Sequence, residues 1–467
     1  MESILIKNAR VVDPLNGIDG ICDVLTENGT VSRVEPGLCA AAQRVIDAEG
    51  LVLMPGIVDM HTHIRTIWGS SHAQRMLARA GVTTTLDMSG PLDNILDTIP
   101  EAGAGLTIGV LQQANAPFTL TTNRPDASEI DAMIERSLTE GALGIKLLGG
   151  HFPMDLDVCR AFVRRANDKN AWVAWHAGNS THGSDIEGCL DAIEAADGRF
   201  LHLAHVNSYC RGQIADSAEE ALRAVAALKA NPNCVSESYL SDLNGTRLTC
   251  EEGLPLSRVT RTCLRKLGFA ETEAGLEDAL LQNAVGVIYD NGHASELLYG
   301  AAARDYWRSE KTVTSGSFSV NPAASRLLLA EAKREDGTFV VDAISTDGGA
   351  YPRNVILEKG LLLVAFGALT MKEFVQKASL NPARLLRLAG KGHLSAGADA
   401  DITVFDPLRR EAVYTIARGR LIMEKGTVLG RGSHVLCTER GSAALAARGL
   451  SHTVIDLTTP LPQRLRL

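Results

Sequence analysis

Two histidines separated by one residue, His61 and His63, close an apolar run that starts at Gly56. In an extended chain alternate side chains share a face, so both imidazoles can enter one cavity. Four more residues of ligand type stand at the ends of later apolar runs: Lys146, His176, His205 and Asp347. Imidazoles and carboxylates gathered in this way are candidate metal ligands. Each residue taken singly has a plainer role, as a satisfied buried polar group or a helix cap. The joint placement at five run ends is what points to chemistry. His202 serves as a control, because it lies three residues before His205 and strand alternation puts the two on opposite faces. It reads as structural or supporting. His151 and His182 follow the fourth and fifth runs and border the same mouth, whereas His72, His293, His393, His434 and His452 read as surface residues.

The elements that must hold these groups are short apolar runs alternating with amphipathic stretches, the pattern of βα units. Eight runs qualify as parallel strands: 56–64, 82–88, 106–113, 142–148, 171–177, 200–206, 234–240 and 341–347. Helices are expected at 128–140 and 217–229, each with an apolar stripe and acids in its first turn. Helices are also expected at 273–290 and 322–333. The fold class that follows is α/β, a (β/α)8 TIM barrel spanning 56–389, with reactive groups at the carboxyl ends of its strands. Residues 1–55 and 390–467 read as a small β-sandwich domain built from both termini, with strands at 5–12, 402–405 and 414–418. The stretch from about 242 to 338 is too long for a simple connection and should carry extra helices and a lid.

Composition narrows the function classes. The chain has 467 residues and a formal net charge of −9, with acids and bases interspersed. No basic run supplies the phosphate-neutralising footprint of a nucleic-acid binder. The amino terminus alternates like a strand and lacks the layout of a signal peptide, and no stretch reaches transmembrane length. Nine cysteines without a CxxC pair suggest reduced thiols in a cytoplasm. Asn28-Gly29-Thr30 and Asn244-Gly245-Thr246 match a glycosylation sequon but read as turns. Gly149-Gly150 suggests a tight turn beside the reactive mouth. A small-molecule substrate is the expected partner, with neither nucleic acid nor membrane.

The segment Leu53-Met54-Pro55-Gly56-Ile57-Val58-Asp59-Met60-His61-Thr62-His63 resembles the opening signature of the amidohydrolase superfamily. Gly144-Ile145-Lys146, Trp175-His176-Ala177-Gly178-Asn179, His202-Leu203-Ala204-His205-Val206-Asn207-Ser208 and Ser345-Thr346-Asp347 are similar to later motifs of its dihydroorotase and hydantoinase branch. The resemblance covers nearly the whole chain. It implies two divalent metal ions, expected as Zn2+ although manganese, iron or cobalt suit the same ligands. It further implies that Lys146 becomes N6-carboxylysine and bridges both ions. His61, His63 and Asp347 would complete one site, His176 and His205 the other. The implied reaction is attack on an amide carbon by a metal-activated hydroxide, with Asp347 taking the proton and passing it to the leaving nitrogen. Homo-oligomers are common among such relatives.

Arg65, two residues after His63, resembles the arginine of dihydroorotases that holds a substrate carboxylate, and Asn321 resembles their substrate-binding asparagine. Arg353 could serve such an anion too. The chain departs from dihydroorotases at Asn321-Pro322-Ala323-Ala324-Ser325, at Asp347-Gly348-Gly349-Ala350-Tyr351-Pro352 and in the seventh strand, where Ser236-Glu237-Ser238-Tyr239 carries no histidine pair. These changes touch the substrate pocket and favour another cyclic amide or an N-acyl amino acid bearing a carboxylate. A lactone or phosphotriester hydrolase, a deaminase and a non-catalytic scaffold are the alternatives. A deaminase typically lacks the bridging lysine, and a scaffold typically lacks several ligands.

Overall fold

The computed structural model describes residues 2–65 and 72–459. Eight strands form the barrel: β1 (Ile57–His63), β2 (Val82–Asp87), β3 (Ala104–Ala114), β4 (Gly144–Leu148), β5 (Trp172–His176), β6 (Leu201–Leu203), β7 (Cys234–Tyr239) and β8, split into Ala343–Ser345 and Gly348–Gly349. Each pairs in parallel with the next, and Gly348–Gly349 pairs back onto Thr62–His63, which closes the ring. The two breaks in regularity lie where ligand-type residues stand. β6 stops at Leu203, and β8 is interrupted at Asp347. Both His205 and Asp347 adopt left-handed backbone angles, with φ of 35° and 49°. Such angles are uncommon for non-glycine residues, and here they re-aim the chain at the strand ends.

Local signals explain the helices around the ring. Asp126 caps Ala127–Glu140 by accepting from the Glu129 amide, and Gly141 ends it at φ 112°. Asp216 caps Ser217–Ala230 in the same way. One expectation fails in part: the helix over 273–290 stops at Leu281, and Val285–Asp290 is a strand. Asn283 turns left-handed (φ 61°), and Val285, Val287 and Ile288 then favour an extended chain.

The terminal segments meet in a hydrogen-bonded nine-stranded sheet that forms the β domain beside the barrel. Val52–Pro55 from the amino side pairs antiparallel with Ile402–Asp406 from the carboxyl side. Ile4, Ile6, Val24, Leu53, Ile402, Val404 and Ile416 form the sheet's own core. The assignment of all of 390–467 to this unit needs correction, because Gly432–Cys437 pairs in parallel with Ala104–Gly109 of β3. β3 is eleven residues long and β4 joins it only from Leu111, so the lower edge of β3 would otherwise be open. The carboxyl segment covers it. Met1 and 460–467, the outer ends of the expected domain, lie outside the described residues.

Between β7 and β8, four antiparallel strands (Leu243–Arg247, Ser315–Ser319, Val285–Asp290 and Ser295–Leu298) carry the helices Arg258–Lys266, Glu273–Leu281 and Gly300–Ser309. Leu248, Leu264, Leu276, Val287, Trp307 and Phe318 give this insertion a separate apolar core. Asn244 stands within a strand here, so its sequon is not a turn. Among the described residues no helix is long and apolar enough to cross a membrane.

Candidate active site

A cavity of about 480 Å³ opens at the carboxyl ends of the barrel strands. His61, His63, Lys146, His176, His205 and Asp347 all line it. They touch one another in a continuous chain. His63 Nε2 lies 2.9 Å and His61 Nε2 3.3 Å from Asp347 Oδ1. Lys146 Nζ is 3.5 Å from His61 Nε2, the His61 and His205 rings stack at 4.9 Å, and His205 Nε2 is 3.1 Å from His176 Nδ1. One atom each of His61, His63 and Asp347 falls within a 4.8 Å span, a donor set that fits a divalent cation.

Protonation suits ligation. Burial, followed by neighbouring positive groups, pushes His61, His176 and His205 well below the ordinary imidazole range, leaving neutral rings with lone pairs at neutral pH. Burial likewise pushes the Lys146 ammonium down to about 8, against the pull of Glu237, Asp347 and Asp87. Burial alone would raise the Asp347 carboxyl, but Arg353, His61 and His63 outweigh it and hold the group well below the usual carboxylate range. An ionised carboxylate beside neutral imidazoles is what a cation needs.

Sequence reading missed the group that ties this floor together. Glu237 is fully buried in β7, and its Oε1 accepts from His61 Nδ1 at 2.7 Å and from the His205 amide at 2.6 Å. Its other oxygen accepts from Ser345. Burial raises its carboxyl. The bond to Nδ1 fixes the His61 tautomer and leaves Nε2 for the cavity. An acid inside a fully buried parallel strand was the available signal. Asp59 works beside it, accepting from the His61 and Thr346 amides and from Thr346 Oγ1 at 2.6 Å, which staples β1 to the residue before Asp347. Burial pushes its carboxyl up to about 7.

Gly149-Gly150 passes tightly under His176: a Cβ at Gly150 would lie 2.3 Å from His176 Nε2. His151 lines the cavity and meets the His176 ring edge-on at 5.5 Å, whereas His182 turns away to Asp191. His202 accepts from Trp172 Nε1 and stands 3.8 Å from Glu237 Oε1, in a supporting place. His434 is a correction, being buried between Ser451 and Thr453 rather than on the surface.

The expected substrate residues also move. Arg65 does not line the cavity; its guanidinium donates to the Asn94 carbonyl. Two-residue alternation fails as a guide there because β1 ends at His63. Asn321 does not line the cavity either. It spends its amide on Tyr239 Oη and the Ser241 and Leu243 carbonyls, and its Oδ1 accepts from Arg211. Arg353 is committed as well, with Nη2 2.7 Å from Asp347 Oδ2 and Nε on the Asp347 carbonyl.

A model of the Amidohydrolase family matches residues 52–430. A dihydroorotase from Streptococcus pneumoniae serotype 4 is 25% identical over 455 residues, covering 90% of this chain and all of the relative. Among solved structures, an N-acyl-D-glutamate deacylase from Bordetella bronchiseptica, complexed with zinc and a phosphonate inhibitor, superposes with a TM-score of 0.66 at 15% identity, over 93% of this chain and 99% of its own. A D-hydantoinase from a Thermus species gives 0.59 at 16% identity, over 92% and 98%. At such identities the two structures speak for the fold.

Proposed function

The chain belongs to the amidohydrolase family, and from that premise we propose that it is a metal-dependent hydrolase of a carbon–nitrogen bond. The proposed substrate is a cyclic amide or an N-acyl amino acid that carries a carboxylate. The observation that carries this reading is the meeting of six ligand-type side chains from five strands in one cavity. Similarity to a dihydroorotase along nearly the whole chain supports the amide class.

In this reading His61, His63 and Asp347 hold one divalent cation and His176 with His205 a second. Zn2+ is the proposed metal, since imidazole and carboxylate donors suit it. When bound, the cations lower the pKa of a water and polarise the scissile carbonyl. Lys146 is the proposed bridging ligand as N6-carboxylysine. Burial pushes its ammonium down, which favours the free amine, the form that adds carbon dioxide. Asp347 is the proposed proton carrier. Arg353 grips Oδ2, which leaves Oδ1 toward the imidazoles to take the proton of the attacking water and return it to the leaving nitrogen. Glu237 holds His61 in the ligating tautomer throughout.

A cytoplasmic homo-oligomer is the proposed working form, and the nine free cysteines accord with a reducing compartment. The test is metal content per chain after purification with bicarbonate, followed by turnover of hydantoins, dihydropyrimidines, N-acyl amino acids, lactones and aminopurines. About two metals per chain with hydrolysis of an acidic amide is the expected outcome. Turnover confined to lactones or aminopurines overturns the amide assignment, and a metal-free chain that turns over nothing returns the protein to the scaffold class.

A further inference from the structure

With Arg65, Asn321 and Arg353 engaged elsewhere, one buried cation on the cavity wall has no counter-ion. Arg211 is only 8% exposed and lines the cavity. Its guanidinium is held entirely by neutral groups. Nε donates to Asn321 Oδ1 at 2.7 Å, and Nη2 donates to Asn244 Oδ1 at 2.7 Å, Ser208 Oγ at 3.0 Å and Tyr239 Oη at 3.2 Å. Among the described residues no carboxylate comes within ion-pair distance of it, in contrast to Arg353 on the same wall. A desolvated charge without a partner is costly, and a fork already fixed by four hydrogen bonds loses little freedom when an anion arrives.

We propose that Arg211 selects the substrate by binding its carboxylate, with Asn321 and Asn244 as the residues that aim it. The proposal rests on the hydrolase reading and supplies the residue that gives it substrate class. Placement agrees. Tyr239 bridges Arg211 to the metal floor, its hydroxyl on the guanidinium and its ring 6.3 Å from that of His205. The neighbouring wall is the helix Arg258–Lys266, which contains four cations, of which Arg265 pairs with Glu271; Glu271 and Asp185 also line the cavity. Arg258 lines the cavity, and among the described residues it has no ion-pair partner.

The test uses matched pairs, N-acetyl amino acids against their amides and hydantoin-5-acetic acid against its amide, on the metal-loaded full-length protein. Arg211→Met should lower kcat/KM for the acid of a pair by roughly 10²- to 10³-fold while the amide changes by less than about threefold, with metal content kept. Arg211→Lys, which keeps the charge and loses the fork, should narrow the acid preference by roughly tenfold and serves if the methionine variant does not fold. Equal loss on acid and amide, or loss of acid preference in Arg65→Met instead, overturns the proposal. If no pair is turned over by the parent protein, metal content and the wider substrate panel decide the hydrolase reading separately. Calorimetric binding of the same acids and amides then decides Arg211: acid preference lost in Arg211→Met sustains the assignment, and acid preference retained or absent in the parent ends it.

Discussion

The floor of the cavity and its wall are built by different means. Floor residues come from the ends of β1, β4, β5, β6 and β8, and strand register sets their heights: Lys146 lies level with Ala174 and His202, one step below His176. The wall comes from the turn after β6 and from the insertion, and its decisive contacts join Arg211 to Asn321, 110 residues apart, and Arg353 to the Leu243 carbonyl, also 110 apart. On the floor, neutral His61, His176 and His205 surround an ionised Asp347. The wall carries the guanidiniums of Arg211, Arg258 and Arg353, with Asp185 and Glu271 also lining the cavity. The ligand-type floor thus rests on hydrogen-bonded strands, while the wall joins the turn after β6 to a unit with its own apolar core.

The contrast can be broken by design, and the largest effect is expected on the floor. Lys146→Ala should cost roughly 10⁴-fold in kcat/KM, the upper end for loss of a positioned catalytic group, and should lower bound metal. Partial rescue by short carboxylic acids would fix its role, and full activity in the variant would remove it from the centre. Trp307→Ala strikes the wall alone. Trp307 is fully buried in the core of the insertion, so truncation should destabilise that unit by about 3–5 kcal/mol, seen as local loss of hydrogen-exchange protection with metal content retained. Metal loss in this variant would show that floor and wall are not independent. Glu237→Met should weaken metal binding by roughly 10- to 100-fold, measured by chelator competition, because His61 Nδ1 loses its acceptor and the tautomer is no longer held.

The last test concerns a buried lysine away from both regions. Lys377 donates to the Ala330 and Val341 carbonyls, and burial pushes its ammonium from 10.5 down to about 7. A folded pKa below the unfolded one means that stability from this group is full above about 10.5 and is lost as pH falls toward 7. Chemical denaturation of the parent and Lys377→Met across that window should therefore show the parent gaining relative to the variant as pH rises. A constant difference would mean that the ammonium titrates normally.

Much of the barrel was legible because strand alternation and helical stripes repeat over short windows. Val82–Asp87, Trp172–His176 and Cys234–Tyr239 fall within the runs expected for them. The edge cover by Gly432–Cys437 was not legible, since it depends on where β4 begins against β3. Glu237 went unread although its burial in a strand was a signal, because its partners come from three other strands.

By itself the sequence determined the α/β alternation, the barrel and the positions of six ligand-type residues, since these follow from periodicity and from spacing within single strands. Only the tertiary structure decided which cations face the cavity. Arg65 leaves the site when β1 ends, and Arg211 enters it because Asn321 and Asn244, distant along the chain, close around its guanidinium. A side chain's direction past the end of a strand is set by what it packs against, and no local pattern carries that information.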